Sequence, residues 1–185
     1  DRATGENLLT AKFADTDWAK GIDAPGQPLP NPEKEPQRDG SLVAANMDGA
    51  TNWMAPSFDP ETGLFYINTQ EAYSIWYLLL TDTGKPDGHQ GGTATDFWSS
   101  SKLVALDVET GKPKWIRDLG EGNTFSGMLT TARHLLFSGD TSGNLLALDP
   151  ATGDVLWHVY AGGIMNSSPM TYILGGRQYV LTPVD

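Results

Sequence analysis

Three histidines, His89, His134 and His158, are the side chains best suited to hold a transition metal, and no cysteine is present to help them. They are scattered over a loop, a turn and a strand-like stretch, with no cluster at ligand spacing, so a zinc site is not indicated. The stretch "DTGKPDGHQGG" offers Asp82, Asp87 and His89, but lacks the alternating oxygen ligands of a calcium loop and reads as turn chemistry. Ser126-Gly127 and Ser138-Gly139 are not nucleophile elbows, because no G-x-S-x-G stands between a strand and a helix. Asn166-Ser167-Ser168 fits the glycosylation pattern, a weak three-residue signal. The acidic residues around 107–121 read as solvated turn charges. No catalytic set and no metal site are spelled out within this chain.

The elements that position everything else come from a repeat. "LVALDVETGKPKW" at 103–115 returns as "LLALDPATGDVLW" at 145–157, identical at seven of thirteen positions. Around the second copy, "GMLT" (127–130), "HLLFS" (134–138), "NLLAL" (144–148) and "DVLWHVY" (154–160) are short, apolar and rich in strand formers, separated by Gly/Asp turns. Asp149 can accept backbone N–H bonds at the start of a turn, and Gly153 can take the left-handed conformation that closes a bulged hairpin; Asp107 and Gly111 repeat this chemistry. Four strands in about forty residues is the period of a propeller blade. Trp115 and Trp157 close the two copies, where an indole can lie between neighbouring blades while its N–H finds a backbone acceptor.

The fold class that follows is all-β: a partial β-propeller of four-stranded antiparallel blades, two complete and two half. One blade covers 46–120, with an insertion at 70–101 that ends in a Gly-rich loop, "GKPDGHQGGTATD". The second covers 121–162. Half blades are expected at 1–13, as a turn and an outer strand with Leu9 in place of Trp, and at 163–185, where Gly175-Gly176 supplies the turn. Residues 14–45 are Pro-rich and read as a long surface connection.

Composition bounds the function. The chain has 185 residues, 39% hydrophobic, with six each of Trp, Tyr and Phe, enough for a packed core. A formal charge of −11 disfavours nucleic acid, which requires clustered Lys and Arg, and equally an anionic membrane surface. The longest apolar run, "YSIWYLLL" at 73–80, is far too short to span a bilayer. The missing cysteine rules out a disulfide framework and leaves the redox compartment unread. There is no initiator Met, and both ends look cut from something longer.

Several stretches together resemble the pyrroloquinoline quinone (PQQ) dependent alcohol dehydrogenases, eight-bladed quinoprotein propellers. "ALDVETGKPKW" and "ALDPATGDVLW" look like their tryptophan-docking repeat, and "DRATGENLLTAKFADTDWAKGID" is similar to the segment after their active-site cation. "GATNWMAPSFDPETGLFYIN", "TFSGMLTTARHLLFSGDTSGNLLALD" and "IMNSSPMTYILGGRQYV" continue the match, which covers nearly the whole chain but only the C-terminal portion of such an enzyme. The resemblance implies three cofactor-binding residues. Asn52 aligns with the amide that hydrogen-bonds the quinone oxygens, its alternative being a turn residue where the backbone bends. Trp53 either approaches the cofactor edge or packs between blades. Phe125 aligns with an aromatic, usually Trp, that covers one face of the site; Phe keeps the π surface but lacks an N–H, and its alternative is a plain core aromatic.

By the same resemblance the cofactors are PQQ and Ca²⁺, and the cation beside the quinone, the Ca²⁺ ligands and the catalytic Asp lie before Asp1. The expected activity is oxidation of an alcohol or aldose in the periplasm, with electrons passed to a cytochrome. The segment alone is expected to be inactive and, with its sheet edges open, to self-associate. Pairing of 167–182 with residues 7–13 of the same chain or a neighbour is one way to close those edges. The rival reading is a non-catalytic propeller of the same repeat type, an interaction scaffold of the outer-membrane barrel assembly kind.

Overall fold

The fold is described from a computed structural model covering residues 1–87 and 91–185, so that His89 lies outside the described residues. In chain order the strands are β1 (Ala19–Ile22), β2 (Pro28–Pro30), β3 (Ser41–Ala44), β4 (Ser57–Asp59), β5 (Leu64–Leu78), β6 (Gly92–Asp107), β7 (Pro113–Glu121), β8 (Leu129–Thr131), β9 (Leu135–Gly139), β10 (Asn144–Leu148), β11 (Val155–Tyr160), β12 (Met170–Leu174) and β13 (Arg177–Leu181). The only helical piece among the described residues is a 3₁₀ turn, Pro32–Lys34. The architecture is all-β, and 127–160 holds strands joined by turns and short loops, with no helix. Two compact units divide the chain, Asp1–Ala50 with Glu71–Ser99, and Thr51–Gln70 with Ser100–Asp185; the division falls within β5 and β6.

The second unit holds the repeat. β8 to β11 form a four-stranded antiparallel sheet in sequence order, and β4, the first part of β5, the last part of β6 and β7 form another. On β10 the side chains divide by parity. Leu146 and Leu148 pack with Leu64, Tyr66, Leu103, Ala105 and Leu136, while Leu145 and Ala147 pack with Phe137 and Met165. That is why "NLLAL" is an unbroken apolar run rather than an alternating one: both faces of this sheet are covered. Leu103, Leu136 and Leu148 are fully buried, each worth about 1.5–3 kcal/mol of transfer free energy.

The turns behave as their residue types dictate. Asp107 Oδ1 accepts the amides of Glu109 and Thr110 at 3.1 and 2.9 Å, and Gly111 sits at φ 67°. These bonds, the Thr110 backbone one first, hold the Asp107 carboxyl below the usual carboxylate range. Asp149 accepts from Ala151 at 2.8 Å, and Gly153 has φ 78°. The pairing slips by one residue at Ala105/Leu106 and again at Ala147/Leu148, the bulge expected of these hairpins. Gly175 and Gly176, at φ 57° and 77°, make the tight turn of the β12–β13 hairpin.

Trp115 shows how adjacent sheets are joined. Its indole Nε1 donates to the Pro150 carbonyl at 3.0 Å, and its ring covers Gly153 so closely that a Cβ there would lie 2.7 Å from it. Tyr66, wholly buried, donates to the same carbonyl at 3.0 Å. Burial raises the Tyr66 phenol above its ordinary value. Trp157, at the matching place on β11, is half exposed, and its indole donates to no group among the described residues. The β12–β13 pair offers it no Asp-x-x-x-Gly turn.

In the first unit, residues 14–45 are more ordered than a surface connection. β1 and β2 form a small hairpin, and β3 pairs with β5 from Ser41↔Trp76 to Ala44↔Tyr73. Asp17 holds β3 by accepting from the Ala44 amide at 2.8 Å, with Lys34 Nζ 2.6 Å from its second oxygen. Residues 92–96, expected in a Gly-rich loop, belong to β6. The outer strand expected over 7–13 is absent: Asp1 caps a turn through Ala3, but no strand follows. A lone strand leaves its N–H groups unpaired. In the second unit β12 and β13 form a two-stranded sheet.

Candidate functional site

The three residues singled out for cofactor contact, Asn52, Trp53 and Phe125, all lie in the second unit, on segments that precede the first strand of a sheet. Residues 51–56 lead into β4, and 122–128 lead into β8. The two segments are joined where the Met128 amide donates to the Ala55 carbonyl at 3.0 Å. One step further, Ser57 Oγ and Thr130 Oγ1 stand 2.7 Å apart, fixing the start of β4 against β8. Gly127 allows this close approach: a Cβ there would fall on Ser168 Oγ and lie 3.1 Å from the Ala55 nitrogen.

This junction places the Trp53 and Phe125 rings face to face, with centroids 5.2 Å apart and planes 12° from parallel. Such a stack contributes about 0.5–1.5 kcal/mol beyond the area it buries. Trp53 nevertheless stays 60% exposed, so the pair presents a flat aromatic surface rather than a core contact. Asn52, next to it in the chain, is exposed as well.

Beneath Phe125 lies a polar network that sequence reading did not select. Asn68, 2% exposed, donates through Nδ2 to the Ser126 carbonyl and to Ser138 Oγ. Ser101 Oγ donates to Gly122 O and accepts the Thr124 amide, both at 2.9 Å. Ser126 Oγ donates to Gly127 O and accepts the Gly139 amide, again at 2.9 Å. The signal in the sequence was "INTQ", three polar residues in the middle of an apolar strand; Asn68, Thr69 and Gln70 are all buried.

With this geometry in place, comparison with known proteins shows what the chain is similar to. Residues 117–180 match the family described as PQQ, the glucose/ethanol/alcohol dehydrogenase beta-propeller domain. The quinohemoprotein alcohol dehydrogenase of Comamonas testosteroni is 31% identical over 202 residues, covering 100% of this chain and 28% of that protein. Quinoprotein alcohol dehydrogenase PedH of Pseudomonas putida is 32% identical over 192 residues, covering 97% of this chain and 32% of that protein. The solved structure of quinohemoprotein alcohol dehydrogenase ADHIIG from Pseudomonas putida HK5 matches with a TM-score of 0.85 at 27% identity, over 100% of this chain and 30% of that one. The chain thus spans about a third or less of the relatives it matches.

Proposed function

We propose, from its likeness to one segment of the PQQ-dependent alcohol dehydrogenases, that this chain supplies part of the PQQ-binding wall of an oxidoreductase acting on an alcohol or aldose. The observation that carries this reading is the exposed Trp53–Phe125 stack. PQQ is a flat tricyclic ortho-quinone bearing three carboxylates, so a site for it needs an apolar plane and hydrogen-bond donors. The stacked rings provide the plane, and the exposed Asn52 amide provides a donor for an oxygen whose negative charge grows on reduction. The residues present therefore fit one wall of the site.

The chemistry that PQQ supplies when bound is hydride acceptance at a quinone carbon, with a Ca²⁺ ion polarising the adjacent carbonyl. This chain's share is to bind and orient: Trp53 and Phe125 exclude water from one side, and Asn52 fixes an oxygen in the plane. The Ca²⁺ ligands, the catalytic base and the cation beside the quinone belong to other parts of the protein. A cytochrome is the electron acceptor, a reading supported by the similar 1-butanol dehydrogenase (cytochrome c) of Thauera butanivorans, and the enzyme works in the periplasm. A further sheet of the same wheel gives Trp157 what Pro150 and Gly153 give Trp115. Cut away from that wheel, the segment self-associates through exposed Trp157, Tyr160 and Ile173, which sedimentation at high concentration tests.

The deciding experiment is titration of the full-length protein with PQQ and Ca²⁺, followed by tryptophan fluorescence and turnover. Asn52→Ala is expected to weaken PQQ binding about tenfold or more, the worth of a hydrogen bond to a charged acceptor. Unchanged binding and turnover in that variant removes Asn52 from the site.

A further inference from the structure

The segment that carries Phe125 has no ladder to hold it. Residues 122–128 lie between β7 and β8 and pair with no strand, yet Thr124, Ser126, Gly127 and Met128 are all buried. Their backbone groups must find partners elsewhere, and side chains provide them. Ser101 takes the Thr124 amide and the Gly122 carbonyl, Thr124 Oγ1 takes the Ser126 amide at 3.4 Å, and Ser138 Oγ donates to the Gly127 carbonyl at 3.4 Å. The Ser126 carbonyl, directly after Phe125, is satisfied by the Asn68 amide.

Asn68 is an expensive choice for that place. Its Oδ1 is buried with no hydrogen-bond partner, a cost that a leucine of similar shape avoids. The amide cannot be turned around, because the Ser126 carbonyl is purely an acceptor and needs an N–H. What the buried amide gains is therefore its two donors, one to the backbone beside Phe125 and one to Ser138 on β9. We propose that Asn68 is a positioning residue for the aromatic wall, clamping the Ser126 peptide so that Phe125 lies flat on Trp53. Its value for cofactor binding rests on the function proposed above; its hold on the ring pair does not.

The test uses full-length protein with two readouts. One is PQQ affinity in the presence of Ca²⁺. The other, on cofactor-free protein, is the near-UV circular dichroism of Trp53, assigned by difference from Trp53→Phe. Asn68→Leu keeps the shape and removes the donors; it is expected to lose the Trp53 band and to weaken PQQ binding at least tenfold. Retention of the band overturns the proposal whatever the affinity does, and so does an affinity within twofold of the parent. If the parent protein binds no PQQ, the functional reading falls and the Trp53 band alone decides for or against Asn68.

Asn68→Asp guards against a folding defect in the leucine variant. Its ionised carboxylate repels the Ser126 carbonyl, whereas the protonated acid can donate to it. Relative to the parent at each pH, the Trp53 band should therefore recover as pH falls. A band that is independent of pH, whether kept or lost, counts against the clamp.

Discussion

The Trp53 indole lies on the Phe125 ring, centroids 5.2 Å apart, although one residue precedes β4 and the other precedes β8. Neither ring is placed by its own strand. Each rides on a segment tied down by the Met128–Ala55 backbone bond and the hydroxyls around it. The aromatic surface is thus a product of two sheets meeting, and it is as precise as that junction.

On the function proposed above, removing one ring should be felt at the cofactor. Phe125→Leu keeps apolar bulk but loses the flat π face, and a stack is worth about 0.5–1.5 kcal/mol. Full-length Phe125→Leu should bind PQQ roughly three- to tenfold more weakly, read by quenching of tryptophan fluorescence, and should also lose about 0.5–1.5 kcal/mol of stability with the Trp53 stack.

The junction itself has no spare room at Gly127. In Gly127→Ala the new methyl meets Ser168 Oγ and the Ala55 nitrogen, the latter at 3.1 Å. Overpacking of this kind costs about 1–3 kcal/mol. Ser168→Gly in the same chain should recover part of the loss and no more, since the Ala55 backbone cannot step aside. Chemical denaturation of the single and double variants checks this.

Trp115 and Gly153 should be coupled. Gly153 combines φ 78° with a Trp115 ring 2.7 Å from where a Cβ would stand. Gly153→Ala is expected to destabilise by about 1–3 kcal/mol through strain and collision. Placing it in a Trp115→Leu background should cost less than the sum of the single changes. Strict additivity in that double-mutant cycle contradicts a shared contact.

Tyr66 predicts a weakness at high pH. Burial raises its phenol pKa above the ordinary value near 10, so the folded protein keeps a proton that the unfolded chain releases. Its contribution is complete below about pH 10 and is lost as pH climbs through the folded-state pKa. Tyr66→Phe should cost about 1 kcal/mol near neutrality, for the lost bond to Pro150. The same variant should show a shallower decline in stability above pH 10, followed by thermal melts across pH 8–11.

The sequence by itself determined the strands, the turns and the propeller-like order of the second unit. Asp149 and Gly153 encode their hairpin within five residues: an acceptor for the next amides, and a residue free of Cβ strain where φ is positive. The apolar runs of β9 and β10 likewise declare that both faces are covered. Such signals are local and survive without knowledge of neighbours. Tertiary structure alone decided the rest. β3 emerged from a Pro-rich stretch because β5 was there to pair with it, and residues 7–13, with similar propensity for strand, found no partner and formed none. Asn68 looked like a stray polar residue until the Ser126 carbonyl appeared beside it. Trp53 and Phe125 were both expected at the cofactor, but nothing in the sequence set one ring on the other. Bringing distant residues to one point is paid for by packing summed over two sheets, and no short stretch of sequence contains that sum.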